Sequence, residues 1–264
     1  MALGAIQRLE VMPPHMAGQI NKDLETVKVL VREADPGLSG QDVLSASEHK
    51  RLAGMHEGAR PAFVTARRML RTALGDHMGL LPKAVPLKQE GAGRISIEGF
   101  SEDEPPYFSV SHTGAAEEGI AAVMVADSCP VGLDIQQLDP AVDWRRVAER
   151  RFPEEDWMLL SAMSDEIGRL MFFTLWSIRE AFVKMEDGKL MPYLRDVQID
   201  LTARPPKLAT PTPKGLTDAF IYFDFNPEHN LMIAAVAEQP LRIDLDLDIK
   251  PISRRPDPLR NRMD

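Results

Sequence analysis

Residues 165–185 read DEIGRLMFFTLWSIREAFVKM, and this run decides how the rest of the chain is parsed. Leu175, Ile178 and Phe182 recur at three- and four-residue spacing, which predicts a helix from about Asp165 to Met185 with one apolar stripe. Gly188 stands just past its end as a stop signal. Glu180 and Lys184 lie one turn apart on the opposite side. Such a pair is normally a solvated helix face contributing a few tenths of a kcal/mol. Here Trp176–Lys184 is densely apolar, which suggests a packed helix whose polar stripe faces a cleft.

Working outward, Val131–Ile135 and Ile120–Ala126 read as strands joined by a turn at Ser128-Cys129-Pro130, and Tyr107–His112 as a shorter strand before them. Helical patterns cover about Val142–Phe152 and resume near Glu154. Downstream come strands at Val197–Leu201, Ala219–Asp224 and Leu231–Ala237, with an Asn226-Pro227 turn. Lys88–Pro106 is rich in glycine, acids and proline and reads as a loop. Before it, Ser47–Asp76 is helical, with Ala62, Phe63, Ala66, Met69, Leu70 and Ala73 on one face. Pro61 divides that stretch, which also carries Arg51, Arg60, Arg67, Arg68 and Arg71. Thr26–Val31 reads as a strand.

Both halves of the chain thus run from helices into strands, and each ends in the letters Ile-Ala-Ala-Val, at 120–123 and 233–236. The expectation is an α+β fold of two similar lobes, residues 1–130 and 131–240, with the ligand in a cleft between them. Residues 241–264 form a tail. Its Ile243–Ile249 segment alternates strictly, as an exposed strand does. Three aspartates on one face suggest calcium less well, because they lack the turn that wraps such an ion. Beyond Pro251 the composition is that of a flexible end.

With 44% apolar and 27% charged residues over 264 positions, the chain has the balance of an ordinary soluble globular protein. The single cysteine, Cys129, forms no internal disulfide. No apolar run approaches the ~20 residues that span a bilayer, and Met1–Gln19 does not read as a secretory signal. The expected location is therefore cytoplasmic. A net charge of −9 argues against nucleic-acid binding, yet leaves room for a local basic cleft around one phosphorylated ligand.

Three short segments carry the chemistry. Ser111-His112-Thr113-Gly114 ends a strand in a glycine turn, where a histidine can offer a donor or a charge to a phosphate oxygen; taken alone, such a histidine is more often structural. In Gly132-Leu133-Asp134-Ile135-Gln136, both polar side chains leave the same face of the strand, and the glycine permits a close approach. An aspartate on an otherwise apolar strand needs a partner, either a metal ion or a nearby turn that it caps. The third segment is Trp176–Lys184.

These three segments, in this order and spacing, resemble the signature of the 4'-phosphopantetheinyl transferases of the surfactin-synthetase-activating type. That signature is a Ser-His motif, a Gly-x-Asp strand and, some forty residues on, a Trp-Ser-x-Lys-Glu-Ala-x-x-Lys helix. Glu48-His49-Lys50-Arg51 and Gly93-Arg94 are weaker upstream matches, and the likeness covers about Ser47–Leu190. The resemblance implies two lobes, each a small antiparallel sheet with a packed long helix, with coenzyme A between them. It implies Asp134 and Glu180, with Gln136 beside them, as the magnesium site. His112, Ser111 and Lys184 would meet the pyrophosphate of coenzyme A, while Arg51 and Arg94 would meet its 3'-phosphate and adenine end. Glu180 would also serve as base for a serine of an acyl or peptidyl carrier protein, and a duplicated chain could complete its site as a monomer. A member of the same fold that binds without transferring is the alternative. Three positions depart from the pattern. Gln136 stands where some members have a third acid, Ile95 replaces a proline, and Arg179 replaces a lysine, which would alter contacts to the pantetheine arm or the partner.

Overall fold

The computed structural model describes residues 24–38, 40–89, 94–101, 104–114 and 119–249. The expected N-terminal character of Met1–Gln19, Gly93 and the end beyond Pro251 lie outside the described residues. In chain order the elements are strand β1 (Thr26–Glu33), helices α1 (Ala46–Ala53) and α2 (Arg60–Met78), and strands β2 (Leu87–Gln89), β3 (Ile95–Ile97), β4 (Tyr107–Thr113), β5 (Ile120–Ala126) and β6 (Val131–Gln137). Helices α3 (Trp144–Arg151), α4 (Glu154–Ser161), α5 (Asp165–Met185) and α6 (Leu190–Asp196) follow. Strands β7 (Ile199–Asp200), β8 (Lys207–Leu208), β9 (Phe220–Asn226), β10 (Leu231–Ala237) and β11 (Arg242–Asp248) complete the mixed α+β fold.

Two sheets dominate, one ordered β11-β1-β5-β4 and the other β6-β10-β9. Strand periodicity gives each sheet two apolar faces. Val27, Val29 and Val31 of β1, with Ile120, Ala122 and Met124 of β5, meet Leu133 and Ile135 of β6 and Leu231 and Ile233 of β10 in one shared core. On the far side of the first sheet, Val123 packs with Leu70 and Leu74 of α2. On the far side of the second, Met232, Ala234 and Val236 pack with Ile178, Ala181 and Phe182 of α5. The layers therefore run helix, sheet, sheet, helix.

Edge strands β4 and β6 close one side of this sandwich through side chains. The hydroxyls of Ser109, Ser111 and Thr113 accept hydrogen bonds from the backbone N–H groups of Leu133 (2.9 Å), Ile135 (3.2 Å) and Gln137 (3.4 Å). Hydroxyl residues at every second position of β4 thus satisfy the donors that an edge strand would otherwise leave unpaired.

The predicted helix at 165–185 and strand at 231–237 match the structure residue for residue. Other boundaries differ for local reasons. The helical stretch after Ser47 breaks at Gly54–Ala59, and Pro61 sits in the first turn of α2, where its missing N–H costs nothing. At the end of α5 it is Asp187, not Gly188, that takes the left-handed conformation (φ 46°). Gly188 is there because a Cβ would stand 2.4 Å from the Tyr193 ring. The expected 88–106 loop contains the β2–β3 hairpin, and the strand expected at 197–201 shrinks to two residues that follow an unforeseen helix, α6.

The tail segment joins the first sheet. Against the expectation of antiparallel sheets and a separate tail, strand β11 runs parallel to β1, from Thr26 opposite Arg242 to Arg32 opposite Asp248. Asp246 pairs with Arg32 (3.1 Å) and Lys28 (3.9 Å), so the neighbouring strand supplies its cations.

Helix α5 lies unusually close to β6, and Gly132 is the reason. A Cβ at that position would stand 2.0 Å from the Ala181 carbonyl oxygen and 3.0 Å from the Met185 Cβ. Backbone cannot yield cheaply, so Gly132→Ala is expected to cost roughly 3 kcal/mol of stability. Urea denaturation measures this, and a loss below about 0.5 kcal/mol, the range of an ordinary surface change, would refute the close-packing account.

Candidate active site

The tight contact at Gly132 brings four polar side chains, Asp134 and Gln136 of β6 and Glu180 and Lys184 of α5, to the seam with β4. On β6, Gly132, Asp134 and Gln136 face α5 while Val131, Leu133 and Ile135 face the shared core. Asp134 is only 1% exposed. A buried carboxylate needs its lone pairs satisfied, and here the protein does so on both oxygens. Its Oδ1 accepts from the Ser111 hydroxyl (3.1 Å) and the Lys184 ammonium (2.7 Å), and its Oδ2 from the Gln136 amide (3.2 Å).

The Ser111 hydroxyl is fully used. It donates to Asp134 and accepts from Ile135 N–H and from Lys184 Nζ (2.7 Å), one donor and two acceptor sites. The Gln136 Nε2 lies 3.5 Å from Glu180 Oε2 as well as 3.2 Å from Asp134, so one amide spans both carboxylates.

Burial, then the facing Asp134 carboxylate, pushes the Glu180 pKa from 4.5 up to about 7, against the opposing pull of Lys184 and the Trp176 side chain. Two carboxylates pressed together with one protonating near neutrality form a site that a divalent cation relieves. Magnesium asks for one or two carboxylates and completes its shell with water and phosphate oxygens. Asp134 and Glu180 fit that requirement, and Gln136 fits as a neutral neighbour whose carbonyl oxygen can take the place of its amide nitrogen. Among the described residues no group of three or more His, Cys, Asp or Glu side chains gathers, so this carboxylate pair suits a cation completed by a ligand rather than a protein cage.

Cations converge on the same seam. His112 follows Ser111 on β4 and keeps an exposed face. Surrounding protein first, then the charges of Lys184, Arg67 and Arg51, hold its pKa below the ordinary 6.5, with Asp134 opposing. In the free protein it is therefore a neutral hydrogen-bonding group rather than a cation. Arg51 on α1 and Arg67 on α2 both lie over the Phe63 ring, at 5.8 and 4.9 Å.

Arg67 was not singled out as a site residue in the sequence. It is 4% exposed, pairs with Glu48 (3.1 Å) and reaches Gln89 on β2, while Glu48 also holds Arg71 (2.7 Å). Two guanidinium groups share one carboxylate here, which leaves positive charge beneath Arg51. The Ser45–Glu48 spacing of a capping box was the signal available in the sequence.

Two further expected residues have settings of their own. Arg94 enters β3 and lines a shallow depression with Phe100, Glu104 and Tyr107, on the hairpin that Arg67 tethers through Gln89. Arg179 does not face a ligand, contrary to the expectation of contacts to an arm or partner. It is 0% exposed, bonded to Asp156 and to the Val197 carbonyl (2.9 and 2.7 Å), and lies 4.4 Å from the Phe152 ring centroid. Its position in the helix turns it inward, so the Lys-to-Arg departure is a packing feature joining α4 to the end of α6. Tyr193 is likewise buried, with its hydroxyl on Glu186.

The raised pKa of Glu180 has a stability consequence in the metal-free protein. Between about pH 4.5 and 7 the folded state holds a proton that the unfolded chain has released, so stability falls as pH rises through that window. Glu180→Gln is expected to flatten this slope and to stabilise the metal-free protein at pH 8. Urea midpoints at pH 5 and 8 in the presence of chelator test it, and parallel slopes in both proteins would count against the assignment.

Comparison with known proteins points to one family. Residues 130–235, which hold β6, α5 and β10, match the family model of the 4'-phosphopantetheinyl transferase superfamily. The chain is 28% identical over 179 residues to the 4'-phosphopantetheinyl transferase HetI of Nostoc sp., covering 67% of this chain and 70% of that protein. It is 36% identical over 132 residues to the 4'-phosphopantetheinyl transferase psf-1 of Bacillus pumilus, covering 47% and 52%. With the L-aminoadipate-semialdehyde dehydrogenase-phosphopantetheinyl transferase of Xenopus laevis it shares 29% over 132 residues, 47% and 42% of the two chains. The chain thus spans about half the length of the latter two. Residues 130–235 thus resemble the 4'-phosphopantetheinyl transferase superfamily, and these relatives agree with one another in that likeness.

Proposed function

We propose that this protein transfers the 4'-phosphopantetheine arm of coenzyme A to a serine of an acyl or peptidyl carrier protein. The observation that carries the reading is the Asp134–Glu180 pair, bridged by Gln136 and met by Lys184 where two sheets join. On this reading the two sheet-and-helix units are duplicated lobes, residues 1–130 with β11 added to their sheet and residues 131–240, and coenzyme A lies along the seam where they meet. The surfactin-synthetase-activating type is the subfamily whose motifs the chain resembles. Membership of that group agrees with a cytoplasmic protein that completes its site as a monomer. Among the described residues no helix is long and apolar enough to cross a membrane.

In the reaction the carrier serine oxygen attacks the β-phosphorus of coenzyme A. A new phosphorus–oxygen bond forms to the serine, and the bond to the bridging oxygen breaks, releasing adenosine 3',5'-bisphosphate. Lys184 neutralises, and His112 hydrogen-bonds, the pyrophosphate oxygens as negative charge shifts toward the leaving group. Arg51 and Arg94 hold the 3'-phosphate and adenine end, with the Glu48–Arg67–Arg71 cluster adding positive field beneath Arg51. Asp134 and Glu180, with Gln136 beside them, would hold magnesium, which supplies Lewis-acid stabilisation of the phosphates when bound. Glu180 accepts the serine proton directly or through a water. A metal-bound carboxylate is a weak base, so much of its contribution is positioning.

The carrier approaches near the start of α6, where Lys189 is exposed and Met191 is 41% exposed. Tyr193 takes no part in that surface, being buried. A non-transferring binder is the second reading, and the neutral Gln136 between the carboxylates is the feature that favours it.

Mass spectrometry separates the two. Incubation with magnesium, coenzyme A and a panel of apo carrier domains is expected to add one phosphopantetheine to at least one carrier, and to fail with chelator or Glu180→Gln. Tight coenzyme A binding without any mass gain would support the binder and contradict transfer.

A further inference from the structure

Asp134 already has a cation. Its Oδ1 lies 2.7 Å from the Lys184 ammonium, its other oxygen is engaged by Gln136, and Ser111 holds the same ammonium at 2.7 Å. A divalent ion at this carboxylate would sit beside a lysine in a poorly screened place, where like charges repel more strongly than in water. Ser111 is fixed by the seam and Gln136 is neutral. Lys184 alone among these partners carries charge on a flexible stem, and its side chain is 29% exposed, so it can swing out of the carboxylate pair.

Resting on the functional reading above, we propose that Lys184 is a resident counter-ion that must leave Asp134 for a divalent metal to enter, and that the phosphates of the incoming substrate take it. The protein then binds metal weakly by itself. Phosphate oxygens give the displaced ammonium a partner, so metal and coenzyme A each raise the other's affinity by the same factor. The site thereby refuses free divalent ions and fills only when the group-transfer substrate arrives. Before that moment Lys184 keeps the buried carboxylate of Asp134 paired, which protects the seam from an uncompensated charge.

The test needs no turnover. Manganese(II) stands in for magnesium, and the electron paramagnetic resonance signal of the free aqua ion gives its affinity with and without saturating coenzyme A, after chelation by coenzyme A itself is subtracted. The wild-type protein is expected to bind manganese roughly 10- to 100-fold more tightly with coenzyme A present, the usual span of such coupling. Lys184→Met is expected to bind manganese alone about tenfold more tightly than wild type and to lose most of the coupling, whereas Lys184→Arg retains it. Lys184→Gln serves as the second neutral variant if the methionine variant does not fold, with urea denaturation as the check. Neutral variants that bind manganese no more tightly than wild type, with coupling unchanged, overturn the counter-ion proposal while the functional reading stands. Absence of manganese binding by wild type in every condition overturns both.

Discussion

The Ser111 hydroxyl is the interaction on which the rest of the structure depends. It accepts from the backbone of β6, and so joins two sheets that share no backbone ladder. The same oxygen donates to Asp134 and accepts from Lys184. Fold and site are therefore built on one atom. The flanking hydroxyls of Ser109 and Thr113 repeat the join one pleat away on each side, which fixes the register between β4 and β6. With that register set, Asp134 has only one place to go. Gly132, two residues earlier, lets α5 come near enough to place Glu180 and Lys184 against it.

Charge is handled in two ways in this protein, and the contrast separates structure from function. Arg179 is buried with Asp156 and a backbone carbonyl, and Arg71 with Glu48 and the Val85 carbonyl. Those guanidinium groups tie elements together and are shielded from any ligand. At the seam, by contrast, two carboxylates face each other and one is pushed toward neutrality. This arrangement lowers stability in the free protein at neutral pH, a trade-off common where activity is built in. Above α2, Arg67 joins the two styles. It is buried and paired, yet its field reaches His112.

Much of this was legible in the sequence because the signals were local and periodic. Helix 165–185 declares itself through Leu175, Ile178 and Phe182, and the alternation around Asp134 and Gln136 places both on one face of β6. The motif spacing then brought Ser111, Asp134, Gln136, Glu180 and Lys184 into one site, as the structure does. What escaped was non-local or irregular. Helix α6 contains a proline and has no clear period, and it is held by burial of Tyr193 and Leu194. The alternation in β11 marks a strand, but nothing local says that it lies beside β1, about two hundred residues away. From its motif Arg179 reads as a contact to the pantetheine arm or the partner, since the residues that hold it, Asp156 and Val197, are distant in sequence. Arg67 was one arginine among several until the fold set it over Phe63 and beside Glu48.

The most direct test of the central claim, that the seam between the sheets is the reaction site, is a crystal structure grown with manganese and coenzyme A. The account predicts an anomalous peak bonded to oxygens of Asp134 and Glu180, with the coenzyme A pyrophosphate beside it and Lys184 turned from Asp134 to a phosphate. Metal or pyrophosphate seated anywhere else, with Asp134 and Lys184 still paired as they are now, would contradict it.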